Sequence, residues 1–275
     1  MTFHFFKPCA LALLCAASFS THVQAQTEAP AEHSVTGNVN LVTDYRFRGI
    51  SQSWGRPAVQ GGIDYSHSSG WYLGNWNSSV SSNSYNNGAS LETDLYGGYR
   101  FEPAPGTLVD VGVLSYIYPS ARLNSTPATP TGEKYDTTEI YAGATFGAFN
   151  AKLSYAVTDY FGLNGGTAGY AFFNALPDQG SSRGTAYLDL NYNLELGNAT
   201  TLTLHVGHTA VRHYSALSYT DYRVALAKTW VGLNFTAAVV GTNADERYYQ
   251  AGNSSGQDAR RLGKTTALLS VGKTF

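Results

Sequence analysis

The chain has 275 residues, of which 43% are hydrophobic, 13% aromatic and only 13% charged. Soluble domains carry about a quarter charged residues, so the charge load is about half the usual one. Lys+Arg at 17 against Asp+Glu at 19 gives a net charge of −2, which excludes a nucleic-acid binder held by bulk charge. The apolar content excludes disorder, and a mean hydropathy of −0.20 speaks against a helical membrane protein. Twenty Tyr, 13 Phe and 29 Gly point instead to β-structure at an interface.

Residues 1–25 read as a secretory signal peptide. Lys7 supplies the positive start, 9–19 (CALALLCAASF) the short apolar core, and Val23-Gln24-Ala25 a cleavage site before Gln26. The apolar run is too short to span a bilayer as a helix. Cys9 and Cys15 both lie in this segment, and Leu14 is too bulky for a lipid-attachment site at Cys15. The exported chain therefore has no cysteine, and its stability must come from something other than disulfides. A closed sheet would supply it.

After a short linker at 26–34, the chain alternates apolar and polar residues in twelve segments: 35–47, 57–66, 71–80, 91–102, 107–118, 136–146, 149–158, 184–196, 200–210, 221–230, 231–241 and 263–275. The clearest runs from Ala186 to Leu196, with Leu188, Leu190, Leu194 and Leu196 on one face and Asp189, Asn191, Asn193 and Glu195 on the other. Each segment is ten to thirteen residues long. A tilted transmembrane strand needs about 9–11 residues, whereas globular strands cluster near 5–6. Long connections (48–56, 81–90, 119–135, 159–183, 211–220, 242–262) alternate with tight ones (67–70, 103–106, 147–148, 197–199 and a turn around 229–232). That asymmetry is the mark of an outer-membrane barrel, with short periplasmic turns and long extracellular loops. The predicted fold is all-β: one transmembrane antiparallel barrel of about twelve strands over 35–275.

Apolar faces would meet lipid and polar faces the lumen. Outward aromatics gather at two levels: Tyr45, Phe47 and Tyr222 at the loop end, and Tyr65, Tyr99, Phe101, Phe146, Phe149, Trp230 and Phe275 at the turn end. They would form the two interfacial girdles. Lys228 and Lys273 face outward near the periplasmic end, where a cation costs little.

Asp44-Tyr45-Arg46-Phe47-Arg48-Gly49-Ile50-Ser51-Gln52 followed by 57–65 (PAVQGGIDY) closely resembles the opening of the TorF family of porins. Further matches follow at 92–99 (ETDLYGGY), 110–119 (DVGVLSYIYP), 139–155 (EIYAGATFGAFNAKLSY), 159–162 (DYFG) and 221–228 (DYRVALAK). The resemblance covers about 35–275. It implies a Gram-negative outer-membrane barrel with pore function and no defined substrate. The closing 270–275 (SVGKTF) is similar to the C-terminal signal read by the outer-membrane assembly machinery. Phe275 stands at its required end, and Lys273 departs from the usual aromatic or apolar residue.

On the inward face, Asp44, Arg46, Arg48, Glu92, Asp94, Glu139, Arg223 and Lys264 fall toward the extracellular half. Asp189 and His205 lie near the middle, and Asp64, Arg100, Asp110, Lys152 and Glu195 toward the periplasm. The pore-lining candidates among them are Asp44, Arg46, Arg48, Glu92, Asp94, Glu139, Lys152, Asp189, His205 and Arg223. Both signs are interspersed, so a single-sign selectivity ring is not indicated. Twelve strands lie between the filled eight-stranded barrel and the wide porins. Either the charges shape a narrow pore for small polar solutes or ions, or they pair across a plugged lumen in a non-conducting structural or adhesive barrel. The aromatic-rich loop 159–183 would fold into the mouth, over the rim or onto a neighbouring subunit. Arg46 and Arg48 precede a Gly turn and are either selectivity charges or solvated rim charges.

No nucleophile elbow, zinc spacing or EF-hand loop occurs, so no catalytic residue, metal or cofactor is expected. The triplet Asn124-Ser125-Thr126 matches the glycosylation pattern by chance. The expected partners are outer-membrane lipid, small polar solutes and the assembly machinery, with no nucleic acid and no assigned oligomeric state. In a conducting lumen, Arg46→Ala with Arg48→Ala shifts selectivity toward cations, and an unchanged reversal potential in a salt gradient would count against that role. A membrane barrel should change gel mobility on boiling after detergent extraction; recovery as a soluble periplasmic protein would exclude it.

Overall fold

The computed structural model describes residues 31–84, 89–126, 129–168, 176–177, 179–252 and 258–275. The expected signal peptide at 1–25, both cysteines and Tyr170, Phe172 and Phe173 of the aromatic loop lie outside the described residues, as do the side chains of the 124–126 triplet. Twelve long strands run in chain order: β1 His33–Val42, β2 Ala58–His67, β3 Trp71–Ser79, β4 Leu91–Ala104, β5 Thr107–Ile117 and β6 Thr137–Phe146. They continue as β7 Phe149–Ala156, β8 Ala186–Gly197, β9 Thr200–Ala210, β10 Tyr219–Trp230, β11 Leu233–Thr242 and β12 Thr266–Thr274. Each pairs antiparallel with its sequence neighbours, and β1 closes the ring against β12 through Asn38↔Thr274 to Val42↔Ser270. Beyond the strand ends, Gly37 and Phe275 exchange both backbone hydrogen bonds at 3.2 and 2.8 Å, so the last residue completes the seam.

The turns that join the strands follow the short-connection pattern. Val231 and Gly232 (φ +47° and +75°) link β10 to β11 as a two-residue turn with both centres left-handed. That primed turn matches the twist of paired strands. Asn198 and Ala199 do the same between β8 and β9, at φ +51° and +53°.

Alternation sorts the side chains as expected. Leu41, Val59, Ile63, Leu95, Ile140, Leu153, Leu188, Val224 and Leu269 are exposed on the outer wall. Repeated around twelve strands, such exposure far exceeds the apolar patch a soluble monomer shows. It suits hydrocarbon. At the turn end Trp71, Phe101, Phe146, Phe149, Trp230 and Phe275 stand outside as a girdle, with Tyr222 outward near the opposite end.

Tyr45 and Phe47 do not join that outer girdle. Strand β1 ends at Val42, five residues before its expected limit, and 43–57 turns inward through the loop-end mouth. Tyr45 and Phe47 are 3% and 7% exposed, packed in the lumen. A small hairpin pairs Arg46–Phe47 with Ile50–Ser51 across Arg48 and Gly49, whose φ of +46° and +79° make another primed turn. Only glycine fits the second position easily, since a Cβ there would meet the Thr242 methyl at 2.4 Å. The expected loop 119–135 also carries a hairpin, Arg122–Thr126 with Thr129–Lys134.

The lumen wall itself is shaped by tyrosines lying over glycines on neighbouring strands. A Cβ on Gly112 would sit 2.5 Å from the Tyr141 hydroxyl, and one on Gly207 would sit 2.1 Å from that of Tyr187. The missing side chain lets each ring lie against the sheet. Gly207→Val should therefore force Tyr187 off the wall, costing about 1–3 kcal/mol as an overpacked site. The measurement is the urea midpoint of the folded barrel in detergent; an unchanged midpoint would show that the ring can move aside freely.

Candidate functional site

The loop-end half of the lumen is a packed core rather than an aqueous space. The inserted 43–57 segment brings Tyr45 and Phe47, the connection after β7 brings Tyr160, Phe161 and Leu163, and the wall contributes Trp76, Leu114 and Tyr116. Phe47 meets Tyr116 and Phe161 edge-on at 5.1 and 5.6 Å, and Tyr45 meets Trp76 at 5.4 Å. Such pairs add about 0.5–1.5 kcal/mol each beyond burial. Phe161 holds φ +49° inside the short 3-10 turn Tyr160–Gly162, a strained geometry that aims its ring into this core.

Two arginines pin the insert. Arg46 Nε donates to Asp44 at 2.6 Å, and its Nη1 donates to the carbonyls of Gly49, Leu262 and Lys264 at 3.0, 2.5 and 3.2 Å. Asp44 Oδ1 accepts from the Ser51 and Ser53 hydroxyls, so this pair is fully embedded. Arg48 reaches across the lumen to the β6 wall, where Nη2 donates to Glu139 at 2.6 Å with side chains 5% and 1% exposed. Its guanidinium also lies over the Tyr187 and Phe47 rings at 4.1 and 4.7 Å and donates to the Tyr160 hydroxyl at 3.2 Å. Burial works against the Arg48 charge, but the Glu139 carboxylate more than offsets it and holds its pKa well above the ordinary arginine value. Burial pushes the Tyr160 phenol up to about 12, against the pull of Arg48.

Three carboxylates share this end of the lumen. Glu92 accepts from Tyr45 at 2.8 Å, while Glu92 Oε2, Asp94 Oδ1 and Glu139 Oε1 have no hydrogen-bond partner among the described residues. Glu92 and Asp94, 0% and 1% exposed, sit two residues apart on the inward face of β4.

Below the insert the character changes. His205 on β9 stands between Asp189 on β8 and Asp221 on β10, at 3.1 and 2.8 Å, with the Tyr187 hydroxyl 3.3 Å away. Both ring nitrogens are engaged by these groups and Asn191, so neither is aimed at a serine or threonine hydroxyl among the described residues. A hydrolytic site needs such a base–nucleophile contact. Arg223 points inward beside His205 in the register, half-buried. Toward the turn end, Asp110 accepts from Tyr72 at 2.6 Å and from Arg100 at 3.2 Å, and Lys152 lies 5.4 Å from the Tyr141 ring. Asp64, Arg100, Lys152, Asp189 and Asn191 are only half-buried, unlike the side chains around the insert.

The candidates from sequence thus fall into two groups. Asp44, Arg46, Arg48, Glu92, Asp94 and Glu139 are buried around the insert, and Lys152, Asp189, His205 and Arg223 stand in the polar half. Lys264 is exposed at the rim and contributes only its carbonyl. Sequence reasoning placed Tyr72, Tyr141, Tyr187 and Asp221 in no site; the inward glycines facing the three tyrosines were the available signal.

Among the described residues one trio, Glu32, His33 and His67, has donor atoms within 4.8 Å of one another, at the turn end. His67 Nδ1 already accepts from the Ser69 backbone N–H at 3.1 Å. A neutral ring then carries its proton on Nε2, the atom 3.5 Å from Glu32, so the trio is not a ready donor set.

Among solved structures, the chain is similar to the KdgM porin at 9% identity and a TM-score of 0.49, over 87% of this chain and 99% of that one. It is also similar to the NanC porin (11% identity, TM-score 0.47, 88% and 98% covered). OccK2 (OpdF) of Pseudomonas aeruginosa in complex with glucuronate gives 14% identity and a TM-score of 0.38, covering 90% and 68%. No curated protein matches the sequence. The family model Gcw_chp, described as a bacterial protein of unknown function, matches residues 25–275, and the chain belongs to that family.

Proposed function

We propose that this chain is an outer-membrane porin, exported by the signal peptide at 1–25 and inserted through its C-terminal strand and Phe275. In this reading the structure is the closed form. The 43–57 segment stoppers the extracellular mouth, and small polar solutes or ions cross when it withdraws. One observation carries it: the polar half of the lumen is lined by half-buried side chains, and what blocks it is inserted chain, not the wall. The motif resemblance to TorF porins supports the same assignment, and the apolar outer wall supports residence in lipid.

A second reading has its own support. The insert packs with aromatic rings as densely as a domain core, which suits a barrel that is sealed for good and serves as a scaffold or adhesive surface.

Planar-bilayer recording separates the two. Arg48→Ala leaves Glu139 buried without its cation, and breaking such a pair costs about 3–5 kcal/mol. Charged against the closed state, that shifts the closed-to-open ratio by about 10²–10⁴, at about 1.4 kcal/mol per tenfold. The intact protein should show rare openings, Arg48→Ala frequent ones, and a barrel lacking 44–56 steady current. A 44–56 deletion that folds by its boiling-dependent gel shift yet carries no current would leave the sealed barrel as the answer.

A further inference from the structure

The other five long connections meet over the insert, and together with it they leave a cleft. Its walls are Phe47, Ile50, Ser51 and Gln52 from the insert, Ser84 from the second connection, Tyr135 from the third, and Tyr160, Phe161 and Leu163 from the fourth. Val211 and Leu217 come from the fifth, Tyr219 from the start of β10, and Tyr248, Tyr249 and Leu262 from the sixth. The cleft is open to solvent on one side. Convergence of every loop on one concavity is unlike the scattered gaps a loop cap leaves by accident, because each connection supplies wall.

The chemistry of that wall is narrow. Among the described residues, seven of its side chains are aromatic and none is ionised. Arg48, against the Phe47 and Tyr160 rings of the wall, is spent on Glu139, and Arg247, against the Tyr248 ring, is spent on Asp245. The rings are braced: Phe161 meets Tyr160 at 4.6 Å and Tyr135 at 5.3 Å, Tyr219 meets Tyr249 at 5.1 Å, and the Tyr249 hydroxyl is tied to the Leu217 carbonyl at 2.6 Å. One polar atom is unspoken for. Ser84 is 2% exposed and its Oγ has no hydrogen-bond partner among the described residues, although a buried hydroxyl ordinarily finds one.

Apolar walls with a few convergent polar atoms are the general form of a small-molecule site. We infer that this cleft binds a neutral, flat, single-ring solute carrying one hydroxyl, its faces against Phe161, Tyr160 and Tyr219 and its hydroxyl at Ser84. A sugar fits less well, because its many hydroxyls would be stripped of water against rings that cannot replace those bonds. An anion fits less well for want of a free cation in the wall. Occupancy does not require that the barrel conduct, so the site stands apart from the pore reading.

The test is ligand-observed NMR with the full exported chain in lipid nanodiscs, using p-cresol as probe and empty nanodiscs as the partition control. Saturable binding above the control is expected, with glucose and benzoate giving none. Ser84→Ala should weaken it several-fold, and Ser84→Phe, which fills the cleft, should abolish it. Tyr248→Ala opens the wall from its half-exposed side, leaves the insert untouched and should weaken binding at least tenfold, so it serves where Ser84→Phe fails to give the boiling-dependent gel shift. Signal that never exceeds the empty discs, or saturable binding unchanged in folded Tyr248→Ala or Ser84→Phe, overturns the site. Stronger saturation by glucose or benzoate than by p-cresol overturns the solute class.

Discussion

A sheet placed in hydrocarbon has no water to satisfy its edge, so it must close, and closure governs everything else in this molecule. The seam falls between the first and last strands, where β1 is held by β2 on one side and β12 on the other. Closing there makes the chain's final residues structural: Phe275 contributes both a backbone exchange with Gly37 and an outward ring at the turn-end rim. Once the ring is closed, alternate residues have only two destinations. That single fact assigns Leu153 to the outside and Lys152 to the inside without any further interaction.

Twelve strands enclose more space than wall side chains fill. The molecule treats its two halves differently. Toward the turns, tyrosines flattened over glycines and half-buried charges leave a polar space; toward the loops, the chain re-enters and builds a second core inside the first. Arg48 and Asp189 illustrate the difference. Arg48 is committed to Glu139 and stacked among rings, whereas Asp189 shares a polar cluster with His205 and Asn191.

Strand number, order and facing were legible in the sequence because period-two alternation is a local property and closure converts it directly into inside and outside. The insert was not. Asp44-Tyr45-Arg46-Phe47-Arg48 alternates polar and aromatic residues just as a lipid-facing strand would, so periodicity extends β1 through it. In the lumen both faces of that stretch are buried, and its alternation sorts ion-pairing side chains from ring-packing ones instead. The two-residue Arg48-Gly49 turn was the one local sign of a reversal, since a long transmembrane strand has no use for consecutive left-handed residues. The tyrosine–glycine fits and the His205 cluster depend on neighbours far apart in sequence, such as Tyr187 with Gly207 and Asp189 with Asp221, and only the strand register brings them together.

The ion pairs in the insert do a job that apolar packing could not. A buried pair contributes little net stability, because desolvation offsets most of the attraction, and an apolar replacement of like volume is often as stable. What the pair does impose is position. Rings slide over one another at small cost, but a guanidinium that leaves Glu139 must find another carboxylate or stay buried and unpaired. Arg48 therefore fixes the insert against β6, while Arg46, bonded to Asp44 and to the carbonyls of Leu262 and Lys264, fixes it against the chain leading into β12. Two anchors on opposite sides of a ring define one seated position. An insert held in that way has one seated position, which a merely space-filling core would not give it.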